Sequence, residues 1–296
     1  VLETLYHNDR IISDKQLNTY ILAAFFHDIV YVPGKTDNEE QSVAWMKSVI
    51  KPDIDPTMLD AVINIIMSTK CILNNPSWDV DIFQSADCSV LSGDFATLVK
   101  YEHEIFKEFQ RFSVESYRKG RVEFLEKTYS KLGNRVKHLP ELIDYVKTRP
   151  ITVGVYAGSF NPFHVGHLDV LEQSERMFDK VVIARGINLA KSTTLSDVFP
   201  ETLRHRECKI YSGFLSTFIK QYESDNPNCK TVLVRGLRNE YDLNYEQNLI
   251  QLVKDQMPNL TVSFFLCDRE HEHVSSTAIR TLESIEVGSG SKYIVV

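Results

Sequence analysis

The feature that most constrains this chain is a change of periodicity at residues 148–150. Before that point, apolar residues recur at helical spacing, as in DKQLNTYILAAFFHD, DPTMLDAVINIIMSTK and the long pair SGDFATLVKYEHEIFKEFQRF and SVESYRKGRVEFLEKTYSKLG. No clean strand alternation is found there. Beyond it, short β-rich runs (ITVGVY, KVVIARG, KTVLVRG, LTVSFFL) take turns with helical ones (GHLDVLEQSERMF, NYEQNLIQLVKDQM, SSTAIRTLESI). Strands that alternate with helices build a mostly parallel sheet covered on both faces. The chain is therefore expected to hold an all-α domain over 1–147 and an α/β domain over 151–296, divided near Thr148 to Pro150. The stretch FPETLRHRECKIYSGFLSTFIKQYE reads as mostly helical. Asp37 and Asn38, and Asp55 with Pro56, are expected to open helices.

Composition removes several functional classes. The 296 residues carry a formal net charge of -7, poorly suited to wrapping a nucleic acid backbone. No apolar run approaches the ~20 residues a membrane span needs. The five cysteines are odd in number and widely spaced, with no CxxC, which points to a reducing, cytoplasmic setting. No signal peptide opens the chain, and it starts at VLETLYHND without methionine, so further residues are expected upstream.

The segment VYAGSFNPFHVGHLDV runs from a strand ending at Gly158 through a loop to a helix starting near Gly166. In an open α/β sheet this is the carboxyl-end crevice where ligands sit. The first helical turn has unpaired N–H groups, and Gly166 allows a phosphate to come close. His164 and His167, at i and i+3, share one face of that turn. They read either as phosphate-stabilising groups, as caps of the helix start, or as a zinc pair, and no further ligand lies close in sequence to favour zinc. Arg235 and Arg238 follow a later strand around Gly236 and are suited to clamping a polyphosphate, with Glu246 on the next helix. Ser275, Ser276 and Thr277 open another helix, and Lys191 follows the second strand.

On these residues, 151–296 resembles the bacterial phosphopantetheine adenylyltransferases, which have a Rossmann-like nucleotidyltransferase domain. The resemblance is carried by YAGSFNPFHVGHLDVLEQSERMFDKVVIA, LVRGLRNEYDLNYEQ, FFL and VSSTAIR. It implies that Ser159 contacts the pantetheine phosphate and that His167 stabilises the transferring phosphoryl group. It places Lys191 near both phosphates and Arg235 beside ATP and the acceptor. Arg238, Glu246, Ser275, Ser276 and Thr277 fall on the ATP side, and Gly158, Phe160 and His164 among the substrate- and ATP-binding residues. Asp169 falls in the first helix as a structural residue. The implied reaction converts ATP and 4'-phosphopantetheine, with Mg2+, to dephospho-coenzyme A and pyrophosphate, in a homo-oligomer such as a hexamer. Three features depart from the family pattern: His164 replaces the usual threonine or serine, the stretch GINLAKSTTLSDVFPETLRHR differs, and Leu243 and Asn244 replace phenylalanine and glutamate. Another phosphorylated acceptor, such as nicotinamide mononucleotide, is the alternative.

In the helical half, FFHDIVY sets His27 and Asp28 inside an apolar segment. With His7 and Asp87 they make a mixed nitrogen and oxygen set for a divalent metal. This half resembles predicted metal-dependent HD-domain phosphohydrolases through YHNDRII, AAFFHDIVYVPGKTDNEEQSV, IIMSTK and QSADCSVLSGD. The resemblance implies metal ligation by His7, His27, Asp28 and Asp87, a pocket signature at Asp37, Asn38, Glu39 and Glu40, and a substrate phosphate at Lys70. Cys71 and Ile72 stand where relatives commonly have a histidine. The alternative is a regulatory or oligomerisation module.

Overall fold

The computed structural model describes residues 1–6, 13–50, 54–70, 77–187 and 199–296. The chain divides into two compact units: Val1–Ile105 with Arg121–Lys147, and Phe106–Gly120 with Thr148–Val296.

The described part of the first unit is helical. It contains α1 (Leu2–Tyr6), α2 (Asp14–Phe26), α3 (Asn38–Val49), α4 (Pro56–Ser68), α5 (Trp78–Asp87), and most of α6 (Phe95–Glu108), α7 (Val114–Leu132) and α8 (Leu139–Thr148). Helices α1 to α5 share one core, in which Leu5, Tyr20, Met46, Ile66 and Phe83 are buried. Asp55 caps α4 as expected, accepting from Thr57 N at 2.9 Å, with Pro56 in the first turn. Asp37 precedes α3 but makes no side-chain cap bond. Asn38 turns back instead, bonding both the N–H and the carbonyl of Val32. A residue inside the helix cannot cap it when its amide is spent on the preceding loop.

The second unit carries a five-stranded sheet: β1 (Ile151–Gly158), β2 (Lys180–Ile187), β3 (Glu207–Ser212), β4 (Cys229–Leu237) and β5 (Thr261–Leu266). All neighbouring pairs are parallel, in the order β3-β2-β1-β4-β5. The helices are α9 (Val165–Glu175), α10 (Leu215–Asp225), α11 (Glu240–Gln256) and α12 (Ser276–Ile285). Strand β3 lies inside the stretch read from sequence as mostly helical. It is six residues long and contains Glu207 and Lys209, so it lacks a continuous apolar run, and Gly213 at φ 84° separates it from α10. Each face follows from strand alternation. Tyr156, Val181, Ile183 and Val234 pack with Val170 and Leu171 of α9. Val155, Ala157, Ala184 and Leu233 pack with Ile219 of α10 and Val253 of α11.

The topology positions the site. From β1 the chain winds outward through β2 and β3, then returns to place β4 on the other side of β1. The connections leave in opposite directions there, and a crevice opens beyond the carboxyl ends of β1 and β4. The opposite end of the sheet is closed by the Phe106–Gly120 segment. Lys180, fully buried at the start of β2, pairs with Glu207 at 3.2 Å and donates to the carbonyls of Gln110 and Phe112. Arg118 donates to the carbonyls of Pro227 and Arg149, and Glu115 N to Asn226 Oδ1.

Candidate active site

The loop between β1 and α9 brings its residues together by close packing. Phe160 has φ 45°, a region that costs a non-glycine residue about 1–3 kcal/mol. Its ring folds back over the end of β1, where a Cβ on Gly158 would stand 2.8 Å from it. There it meets Tyr156, Phe163 and the edge of His167. Phe160 is thus buried as a support beneath the histidine.

His164 is the N-cap of α9, and its bonding to His167 is reciprocal. His167 N donates to His164 Nδ1, and His164 N donates to His167 Nδ1, each at 3.3 Å. The rings stack with centroids 3.5 Å apart. The capping reading of the histidines is therefore realised in the structure, and it has a chemical consequence. Both Nδ1 atoms accept, so each neutral ring carries its proton on Nε2. Burial, helped by Arg238 and His271, pushes His164 down to about 4. Burial, then His164, Arg238 and Arg235, hold His167 well below the ordinary histidine range. At neutral pH both are uncharged Nε2–H donors.

Arg235, at the end of β4, is gripped by Glu246 of α11: Nε donates to Oε2 at 2.5 Å, Nη2 to Oε1, and Nη1 to the Ala157 carbonyl. Arg238 is held by Asp242 in the same way, with Nε to Oδ2 and Nη2 to Oδ1 both at 2.8 Å. Hydrogen bonding to Arg238 pulls the Asp242 carboxyl below its usual range. Ser275 caps α12 by accepting from Ala278 N at 3.0 Å, and Ser276 donates to the Pro162 carbonyl at 3.0 Å. Thr277 accepts from Arg280, whose guanidinium also reaches the Asn161 carbonyl. The serine turn is thereby fastened to the loop that follows β1.

The crevice is lined by Gly158, Ser159, Phe160, His164, His167, Arg235, Arg238, Glu246, Ser275 and Ser276. Thr277 stands beside it on α12, and Lys191 lies outside the described residues. Asp242 and Cys267 also line it and were missed. The signal for Asp242 was available, because it follows Arg238 by four residues. Cys267 gave none, being a lone thiol set near the Gly166 backbone by the fold. Asp169 accepts from Asp268 N at 2.7 Å, tying α9 to the loop after β5.

Comparison with known proteins agrees with this geometry. Residues 155–282 match the cytidylyltransferase-like family model. A phosphopantetheine adenylyltransferase from Syntrophomonas wolfei is 32% identical over 133 residues, covering 43% of this chain and 81% of the relative. One from Leptospira biflexa is 32% identical over 134 residues, 44% of this chain and 82% of that one. One from Levilactobacillus brevis is 29% identical over 153 residues, 49% of this chain and 90% of its own length. Through its second half, the chain belongs to the phosphopantetheine adenylyltransferase family. That half is a nucleotidyltransferase-like domain, and the adenylyltransferase relatives match less than half of the chain.

The first unit has its own candidate site. His27 follows α2, and its Nδ1 lies 3.0 Å from the Ala24 carbonyl. That contact leaves Nε2 facing Asp28 Oδ2 at 3.3 Å and Asp87 Oδ1, at the end of α5, at 3.5 Å. Burial lowers the His27 pKa, but the Asp87 hydrogen bond and both carboxylates together carry it above its ordinary value. Three of the four expected ligands therefore meet, and His7 lies outside the described residues. Among the described residues, however, no group of three or more His, Cys, Asp or Glu is arranged to hold a metal ion. The pairwise distances show a histidine bridging two acids, which is less than a coordination sphere. Lys70, expected to meet a substrate phosphate, pairs with Glu40.

Proposed function

We propose that the second unit transfers the adenylyl group of ATP to 4'-phosphopantetheine, giving dephospho-coenzyme A and pyrophosphate. The observation that carries this reading is the pair of neutral Nε2–H histidines facing two carboxylate-held arginines across one crevice. An oxygen of the acceptor phosphate attacks the α-phosphorus of ATP. The new P–O bond forms as the bond to the bridging oxygen breaks, and pyrophosphate leaves. Charge grows on the equatorial oxygens, where the His167 Nε2–H serves as a fixed donor that needs no reorganisation. Arg235 and Ser159 suit the acceptor phosphate, and Arg238 with the α12 turn suits ATP. No side chain needs to become a nucleophile. Magnesium enters with the triphosphate and shields its charge; Asp242 and Glu246, the carboxylates on the crevice wall, are each spent on an arginine. As in the reading from sequence, a homo-oligomer is proposed. No described helix is long and apolar enough to cross a membrane.

The test is pyrophosphate release from Mg-ATP with 4'-phosphopantetheine and with nicotinamide mononucleotide in parallel. Release with the first alone supports the reading. Release with the second alone overturns the acceptor assignment.

A second reading concerns the first unit: a divalent-metal phosphohydrolase using His7, His27, Asp28 and Asp87. It is favoured by the Ala24 contact, which leaves His27 Nε2 toward two carboxylates, as a hydrogen bond to the other ring nitrogen does for metal-binding histidines. Metal analysis of the purified chain tests it. A divalent ion present in the wild type and absent from Asp87→Ala supports it. A metal-free wild type makes this unit a regulatory or oligomer-organising module.

A further inference from the structure

We infer that the Tyr156 hydroxyl is a further ligand-binding group of the crevice, one that hydrogen-bonds the nucleoside end of ATP and helps to set nucleotide specificity. The inference rests on reading the crevice as a Mg-ATP site and adds a residue to it.

Tyr156 lies on β1, with its ring on the α9 face of the sheet among Val170 and Leu171 and edge-on to Phe160 at 5.0 Å. It is 4% exposed. A hydroxyl buried so deeply is expected to have a hydrogen-bond partner. The other two described tyrosines exposed by 4% or less follow that rule. Tyr20 donates to Asp79 Oδ1 at 2.8 Å, and Tyr222 to Glu207 Oε2 at 3.1 Å. The Tyr156 hydroxyl has no hydrogen-bond partner among the described residues. Its polar neighbours are engaged elsewhere. Arg235 is held by Glu246 and the Ala157 carbonyl. Asp169 accepts from Asp268 N at 2.7 Å and from Gln173 Nε2 at 3.1 Å, and the Cys267 thiol faces the Gly166 carbonyl at 3.8 Å. Burial raises the hydroxyl pKa against the pull of Arg235, so the group stays protonated and can both donate and accept.

The oxygen is not sealed into the core. Arg118 Nε is a fully enclosed side-chain atom without a partner, and the Tyr156 oxygen is not of that kind. It reaches open space, and the space that Tyr156 lines is the crevice. The surroundings say which part of a nucleotide it meets. Val170 packs against both Tyr156 and the Gly236 backbone, and Cys267 stands against Gly166, so these walls are uncharged. Phosphate oxygens are already served in the crevice by the histidine Nε2–H groups and the arginine forks. A neutral hydroxyl between apolar walls matches a neutral heteroatom of the base or ribose. A ligand that supplies that heteroatom also satisfies a group the fold leaves unmatched, which makes the contact selective.

The experiment compares the full chain with its Tyr156→Phe variant by titration calorimetry, using Mg-ATP and, separately, magnesium tripolyphosphate, which has no nucleoside. The variant keeps the ring and its packing and loses only the oxygen. Its urea midpoint is expected to stay at or above that of the wild type, because an unmatched buried hydroxyl is removed. Mg-ATP binding is expected to weaken about tenfold, as for a lost hydrogen bond, and tripolyphosphate binding to stay unchanged. Wild-type affinity of Tyr156→Phe for Mg-ATP would overturn the inference. So would an equal loss with tripolyphosphate, which would place the contact on the phosphates. A wild type that binds Mg-ATP but does not use 4'-phosphopantetheine overturns the acceptor assignment alone, and the comparison still decides the role of Tyr156. A wild type that does not bind Mg-ATP overturns both.

Discussion

The reciprocal bonds between His164 and His167 decide where their protons sit, and so what these residues do. Because His167 acts as a donor to charge that grows during transfer, His167→Ala should lower kcat by about 10²–10³ while leaving Mg-ATP affinity nearly unchanged. Steady-state kinetics beside a binding titration checks this. The same geometry sets a pH dependence of stability. Both histidine pKa values are depressed in the folded chain, so the unfolded state binds protons more readily below about pH 6.5. The stability they confer is complete above that pH and is lost as pH falls toward the folded value, about 4 for His164. Between pH 7 and pH 5, His164 alone should cost roughly 2 kcal/mol. His164→Asn keeps a capping side chain and should flatten that part of the curve, as measured by urea unfolding at the two pH values. Gly158→Ala tests the support beneath the site: its Cβ would stand 2.8 Å from the Phe160 ring, so turnover should fall as Phe160 presses on His167. Much of this was legible in GSFNPFHVGH, where the glycine, the turn and the paired histidines stand in one run. Their tautomers were not, because they depend on backbone N–H directions.

At the scale of elements, local pattern showed the helices and four strands, and tertiary contacts decided the rest. Strand β3 is a short polar-interrupted segment whose partner is β2, and pairing rather than periodicity makes it a strand. The Phe106–Gly120 segment shows the same principle more strongly. Its sequence reads as the end of one amphipathic helix and the start of the next, yet it belongs to the second unit, where side chains bond backbone carbonyls. Such bonds leave no trace in hydrophobic pattern. Lys180 is their centre, and burial lowers its pKa against the pull of Glu207. Lys180→Met would leave buried Glu207 with only Lys209, at 3.5 Å, as a cation and would strip the Gln110 and Phe112 carbonyls of their donor, at a cost of about 3–5 kcal/mol. Denaturant unfolding should show the loss, and an unchanged midpoint would mean the Lys180 contacts contribute nothing net. The carboxylate-held arginines belong to this scale too. Arg235 and Arg238 were visible as a pair in the sequence, but their partners become clear only when α11 is laid against the end of β4.

For the whole molecule, the switch in strand order beside β1 explains why residues from four separate segments meet. The histidines follow β1, the arginines end β4, Asp242 and Glu246 lie on α11, and the serines open α12. Sequence alone indicated each segment, and the parallel sheet supplies the common crevice. The first unit was legible as helical, and its His27–Asp28–Asp87 meeting was anticipated, while His7 and Lys191 fall outside the described residues. The central claim is that the crevice moves an adenylyl group onto a phosphate acceptor. Incubating the full chain with Mg-ATP labelled at the α-phosphorus and with 4'-phosphopantetheine tests it most directly. The account predicts label in dephospho-coenzyme A, with one pyrophosphate released per label transferred, and loss of that transfer in Arg235→Ala. Label recovered only as ATP, or released as free AMP or ADP with the acceptor unchanged, would contradict it.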